Sequence, residues 1–381
     1  MIALTGVSFL IWCYLWLLHG RFWNSGPELP AARPQSTPTG AIPAVAIIVP
    51  ARDEAAVIAR CLRSLLAQNY EGPFRVILVD DQSTDRTKEI ALDLAGSRLT
   101  VINGAPRPDG WAGKLWAVSQ GIAAAGEPAY VLLTDADIEH DPAHLSSLVA
   151  AAETRGADGG GLDMVSEMVA LSCDSPAEKT LVPAFVFFFQ LLYPFALVNN
   201  PGRKTAAAAG GTILIRREAL TRIGGIQAVR GALIDDVALA GAVKAGGPIF
   251  LGHSGHARSI RPYPGVGDIW RMVARSAYAQ LRFSPLILAG TVLAMVLVWL
   301  VPACAAIFSR DTPRYIGLLT WVMMSAAYIP TLNRFQRSWL WAPVLPLIAL
   351  FYLAATISSA VNHHRGVGVV WKGRAYTGGK P

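Results

Sequence analysis

Residues 130–142 read YVLLTDADIEHDP: an apolar run, two aspartates one residue apart, and a proline. The run at 130–133 predicts a buried strand, because a short apolar stretch closed by a turn signal is how a strand covered on both faces reads. Side chains alternate along a strand, so Asp135 and Asp137 leave its end on the same side. Two carboxylates held this close repel, and a divalent cation between them or a retained proton relieves the repulsion. An Asp capping the following helix from a solvated turn is the competing reading of an isolated D-x-D. The neighbouring segments decide between the two.

Working outward, the same logic repeats. Residues 45–49, 75–79 and 99–102 are apolar strands, and residues 54–68, 87–95 and 115–125 are helical patterns between them. Strand and helix in turn imply an α/β domain with a mostly parallel sheet and right-handed crossovers. Ligands bind such sheets at the carboxyl ends of the strands. VPARDE follows the first strand and VDDQSTDRT the second, so Asp53, Glu54, Asp80, Asp81, Asp135 and Asp137 gather along one edge.

Composition supplies the surroundings. The chain of 381 residues is 53% hydrophobic and 15% charged, too apolar for a protein wholly in water. Residues 2–18, 285–308, 315–332 and 340–361 are apolar for roughly a spanning length, and four crossings are expected. The first lacks basic residues ahead of it and a small-residue cleavage pattern behind it, so it reads as a retained anchor with Trp12, Trp16 and Trp23 at the interface. A net charge of +7 raises the question of nucleic acid, but Arg21, Arg258, Arg261, Arg271, Arg275 and Arg282 flank the spans, where anionic lipid headgroups attract them. Four scattered cysteines indicate neither a disulfide framework nor a metal cluster. The expected organisation is an anchor at 1–20, a Pro-rich linker at 21–43, a catalytic domain at 44–283, C-terminal transmembrane helices at 284–362 and a basic tail at 363–381.

The V-P-x-x-[ND]-E turn, the V-D-D-x-S-x-D turn, the D-x-D and the later acidic pair Asp235–Asp236 together resemble glycosyltransferase family 2 over about two hundred residues. GWAGKLWA, NNPGRKTAAAAGG, RGALIDDVALA and MVARSAYAQL are similar to its hopanoid-associated membrane members. The resemblance implies a nucleotide-diphospho-sugar transferase fold of GT-A type and inverting, metal-dependent transfer of a hexosyl or N-acetylhexosaminyl group. It implies a nucleotide-sugar donor, a UDP-sugar by preference, and a membrane lipid acceptor, a hopanoid by that same likeness. It places the enzyme in the bacterial cytoplasmic membrane with its catalytic domain facing the cytoplasm.

Roles carry over position by position. Asp81 matches the aspartate that hydrogen-bonds the base or ribose, with Pro50, Ala51, Arg52 and Glu54 lining the same pocket; an ionised acid suits N–H and hydroxyl donors. Asp137, with Asp135 beside it, matches the metal-binding position for Mg2+ or Mn2+ on the diphosphate. Lys114, after a Gly-rich turn, reaches the donor phosphates. Asp236 is the general base, supported by Asp235, although from sequence alone helix N-capping explains such a pair better. Ser83 and Asp85 are expected to cap the helix near Arg86. Polysaccharide synthases of the family carry Q-x-x-R-W where this chain reads MVARS, so Arg275 alone remains to steady the diphosphate and single transfer is favoured over polymerisation. Residues 181–200, LVPAFVFFFQLLYPFALVNN, interrupt the domain and are expected to form an interfacial or re-entrant helix rather than a span; a buried core helix is the alternative. Three full C-terminal spans would put the tail outside.

Overall fold

A computed structural model describes residues 1–29, 42–154, 160–366, 370–371 and 374–375. The Pro-rich linker and the basic tail fall largely outside the described residues.

In chain order the elements are α1 (Ile2–Leu17), β1 (Val45–Ala51), α2 (Ile58–Leu66), β2 (Phe74–Asp80), α3 (Thr87–Asp93), β3 (Leu99–Asn103), α4 (Gly113–Ala124) and β4 (Tyr130–Thr134). Then come β5 (Ile138–His140), α5 (His144–Glu153), β6 (Met164–Ala170), α6 (Pro176–Leu192), α7 (Phe195–Val198), β7 (Thr212–Arg216), α8 (Arg217–Arg222), α9 (Asp235–Lys244) and β8 (Ile249–Ser259). The chain closes with α10 (Val266–Gln280), α11 (Pro285–Met295), α12 (Val301–Phe308), α13 (Asp311–Arg334), α14 (Leu345–His364), β9 (Val370–Trp371) and β10 (Arg374–Ala375).

The chain divides into two compact units. One is helical and comprises Met1–Gly26, Cys173–Ala196 and Pro262–Val370; the other comprises Pro27–Ser172, Leu197–Arg261 and Trp371–Pro381. Residues 173–196 and 262–283 therefore group with the apolar helices, not with the sheet.

The sheet unit is an eight-stranded sheet in the order β3-β2-β1-β4-β7-β6-β8-β5. β3, β2, β1 and β4 are parallel, as their apolar runs predict. β7 is antiparallel to β4 and β6, and β8 is parallel to β6 but antiparallel to β5, so the sheet is mixed beyond β4. All seven residues of β1 are buried, which requires helices on both faces. α4 covers one face through Gly121, where a Cβ would stand 2.5 Å from Ile48 Cγ2. α2 starts at Ile58, later than the apolar pattern suggests, and ahead of it the Glu54 amide donates to Thr87 Oγ1 at 2.7 Å.

In the helical unit, α6 begins with a capping box: Ser175 accepts from the Glu178 amide, Glu178 accepts from the Ser175 amide, and Pro176 occupies the first turn. Pro302 has no N–H, so the Val298 carbonyl four residues back loses its helical donor. The Trp12 indole donates to that carbonyl at 3.0 Å, and the intervening turn, Val296–Leu300, relaxes to π-helix. Phe187 packs its ring against Phe22 and Tyr328. Helical stretches Pro176–Val198, Pro285–Phe308, Asp311–Arg334 and Trp339–His364 are long and apolar enough to cross a membrane, whereas Ile2–Leu17 is shorter.

Candidate active site

The carboxyl ends of β1 and β2 are tied to each other. The Asp81 amide donates to the Ala51 carbonyl at 2.8 Å, and Arg52 Nη1 donates to the Asp81 and Gln82 carbonyls. Asp53 takes a positive φ of 51° and accepts from the Thr84 amide at 2.7 Å. Asp85 accepts from the Ala55 and Thr87 amides, so Asp85 and not Ser83 holds the start of α3. Asp81 is fully buried at this edge, and the neighbouring buried Asp80 Oδ1 has no hydrogen-bond partner among the described residues. An acceptor edge of this kind suits the N–H and hydroxyl donors of a nucleoside.

Lys114, in the first turn of α4, stands between the strand-end aspartate and the later acidic pair. Its Nζ is 2.7 Å from Asp135 Oδ1 and 3.7 Å from Asp235 Oδ2. Burial pulls the ammonium down, but Asp135 and then Asp235 outweigh it and hold Lys114 above its ordinary value. Asp235 and Asp236 open α9, where the helix dipole favours acids. Neither is the N-cap, a position occupied by Ile234 without side-chain capping, so the capping explanation is not realised. Instead the Gly210 amide donates to Asp236 Oδ2 at 3.0 Å, and the Val237 amide donates to its Oδ1 at 2.8 Å. A Cβ on Gly210 would lie 3.3 Å from Lys114 Nζ and 3.4 Å from Asp236 Oδ2, so glycine lets backbone, lysine and acid converge. Burial first, then the charge of Asp235, pushes Asp236 up to about 7 against the opposing effect of Lys114.

Asp137 is held by a residue that sequence reasoning assigned to lipid. Arg261 Nε donates to Asp137 Oδ2 at 2.8 Å, and its Nη2 donates to both oxygens of Glu54 at 2.6 and 2.8 Å. Burial lowers the guanidinium's affinity for its proton, but Asp137 and Glu54 more than restore it. No spacing signal links Arg261 to Glu54 across 207 positions; the pairing of β8 with β5, extended by the Ile260 amide donating to the Asp137 carbonyl at 2.8 Å, brings the arginine to these acids.

Pro50, Lys114, Thr134, Asp135, Gly210, Asp235 and Asp236 thus line one pocket, while Ala51, Arg52, Glu54 and Asp81 form the adjoining strand-end edge. Arg275 lies exposed on α10 in the helical unit and is not among the residues gathered here. Among the described residues no three His, Cys, Asp or Glu form a ready-made metal cage. Asp135 and Asp137 are nonetheless hard oxygen donors beside this pocket, and two carboxylates fit a Mg2+ or Mn2+ ion whose shell diphosphate oxygens complete.

Residues 46–224 match the sequence model of Glycosyl transferase family 2. The chain is 35% identical over 117 residues to a beta-monoglucosyldiacylglycerol synthase of Trichormus variabilis, covering 29% of this chain and 25% of that protein. It is 35% identical over 106 residues to the synthase of the same name from Nostoc sp., covering 27% and 22%. The matched stretch therefore spans about a quarter of those relatives' length. A mannosyltransferase from Pyrobaculum calidifontis, solved with GDP-Man and Mn2+, is 20% identical and superposes with a TM-score of 0.56 over 95% of this chain and 97% of its own. That likeness shows the fold, the GT-A fold of nucleotide-sugar transferases, with a mixed, mostly parallel sheet.

Proposed function

We infer that this chain, whose residues 46–224 match the sequence model of glycosyltransferase family 2, is a membrane-bound member of that family that moves one sugar from a nucleotide-diphosphate donor to a lipid hydroxyl with inversion. The observation that carries this reading is the convergence of Lys114, Asp135 and Asp236 at Gly210: a cation for phosphates beside a carboxylate poised near neutrality. Asp81, Arg52 and the strand-end loops bind the nucleoside, and a UDP-sugar is the donor proposed. Asp135 and Asp137 hold the divalent cation, which when bound neutralises charge on the departing diphosphate. Asp236 accepts the proton of the acceptor hydroxyl as its oxygen attacks the anomeric carbon from the face opposite the diphosphate. Asp235 keeps Asp236 a strong enough base, and Lys114 follows the phosphates as they leave. The relatives' names concern diacylglycerol glycolipids and support a lipid acceptor; the motif likeness favours a hopanoid among lipids. The cytoplasmic supply of nucleotide sugars puts the site on that side of the bacterial inner membrane.

The test is incubation of purified protein with a panel of nucleotide sugars, Mg2+ or Mn2+, and either total membrane lipid or purified hopanoid, with mass analysis of the lipid as the readout. A single added hexose or N-acetylhexosamine on a lipid is expected. A polymeric product would replace this reading with a polysaccharide synthase, and no product with any donor would leave a fold without the activity.

A further inference from the structure

Beneath the site lies a buried chain of polar groups that the transfer reaction does not use. Thr134, His140, His144 and Glu167 are none more than 3% exposed. Thr134 Oγ1 donates to the Gly211 carbonyl at 2.8 Å and lies 3.1 Å from His140 Nε2; the two imidazoles meet Nδ1 to Nδ1 at 2.7 Å; and His144 Nε2 is 2.6 Å from Glu167 Oε2. Ser254 on β8 donates to the same Glu167 oxygen at 3.2 Å.

Hydrogen counting gives this chain one direction. The Thr134 hydroxyl has a single hydrogen, and a carbonyl can only accept, so that hydrogen goes to Gly211. His140 Nε2 must then carry a hydrogen and donate to Thr134. Burial and the neighbouring His144 keep His140 below its ordinary value and hence neutral, so its Nδ1 is bare and accepts from His144 Nδ1–H. One proton is left to join His144 Nε2 to Glu167. Each link needs the next, and all four side chains are buried from bulk solvent.

One end of the chain, the Thr134–Gly211 link, lies beside the reacting groups, and the other end is Glu167 on β6. Thr134 precedes Asp135, and Gly211 follows Gly210, whose amide holds Asp236. We propose that His140, His144 and Glu167 are positioning residues: a buried strut that fixes the Asp135–Asp137 turn at a set separation from Asp236. What those carboxylates do rests on the transferase reading above; that they are braced together does not.

The full chain in detergent tests this with three variants. Glu167→Leu cuts the chain at its base, and Thr134→Val removes one hydroxyl without changing shape. Glu167→Gln keeps the link, because its amide can donate to a bare His144 Nε2. Hydrogen–deuterium exchange should quicken in the peptides covering 134–140 and 205–212 for Glu167→Leu and Thr134→Val, with β1 to β3 unchanged and Glu167→Gln close to the parent. In transfer assays kcat should fall about tenfold or more with donor KM little changed, since small misplacements act on the chemical step. Parent-like exchange and turnover in Thr134→Val, the variant least able to unfold the protein, would overturn the strut, as would a Glu167→Gln protein as impaired as Glu167→Leu. A parent chain that glycosylates no lipid would instead remove the transferase reading, and the exchange pattern would still decide the strut.

Discussion

A carboxylate takes a proton from a hydroxyl only while ionised, and at Asp236 burial and Asp235 oppose ionisation up to about pH 7. Transfer should therefore rise with pH through about 7 and level off above it, read as kcat/KM for the acceptor. Asp235→Asn removes the like charge that raises Asp236, so the acid limb of that profile should move to lower pH. Lys114→Met removes the charge that lowers Asp236, so the limb should move to higher pH; no displacement in either variant would separate Asp236 from the titrating group. Asp236→Asn should reduce transfer by about 10²- to 10⁴-fold, the usual contribution of a general base, with nucleotide affinity by calorimetry little altered. Beside the pocket, Arg261 neutralises Asp137 and Glu54 together. Arg261→Gln should tighten Mn2+ binding in the absence of donor, since two carboxylates relieved of their cation attract another; weaker binding would make Arg261 a support of the metal site and not its competitor.

At the scale of elements, the close approach of α4 to β1 has no slack. Gly121→Ala drives a methyl to 2.5 Å from Ile48 Cγ2 and 3.1 Å from Val79 Cγ2, so either helix or sheet must shift. A loss of about 1–3 kcal/mol is expected in thermal or denaturant unfolding, as for overpacked cores, with Gly96→Ala as the control because a Cβ there meets nothing within 4 Å. The parallel strands and their carboxyl-end acids were readable in the sequence because burial on both faces writes itself as apolar runs closed by polar turns. The sheet beyond β4 was not readable in that way. β7 runs antiparallel, and nothing in TILIR records direction. Arg261 and the His140–His144 pair serve through partners brought close by the sheet alone, so their roles carry no periodicity or motif. Arg261 read as a lipid-facing charge for that reason: a lone arginine near apolar segments looks the same whether or not two acids await it.

At the scale of the whole molecule, the sheet constrains how the apolar helices can meet a membrane. β1 to β6 precede α6, and β7 and β8 come after it, yet β7 bonds to β4 and β6, and β8 to β6. A single crossing by α6 would part strands that share hydrogen bonds, so we propose that Pro176–Val198 enters and leaves a membrane on one side despite its length and apolarity. The remaining long helices are free of that restriction. α13, whose sequence contains Pro330 and flanking arginines, is one continuous helix of 24 residues, about 36 Å long at 1.5 Å per residue, against a hydrocarbon core of about 30 Å. It is long enough to cross. With the catalytic segment in the cytoplasm, three crossings by the segments 285–308, 311–334 and 339–364 carry the chain after His364 to the outside, with Arg271, Arg275, Arg282, Arg334 and Arg337 inside. Arg365, Lys372, Arg374 and Lys380 oppose this by the preference of basic residues for the cytoplasm, and so does the grouping of Trp371–Pro381 with the sheet unit, but a short tail goes where stronger upstream spans direct it. A reporter that fluoresces only in cytoplasm, fused after Pro381, should stay dark in intact cells while the full-length fusion is found in membranes. The same reporter fused after Arg282 should be bright. A bright Pro381 fusion would mean an even number of C-terminal crossings and would make α13, the least apolar of the three at a mean hydropathy of 1.4, the segment that turns back.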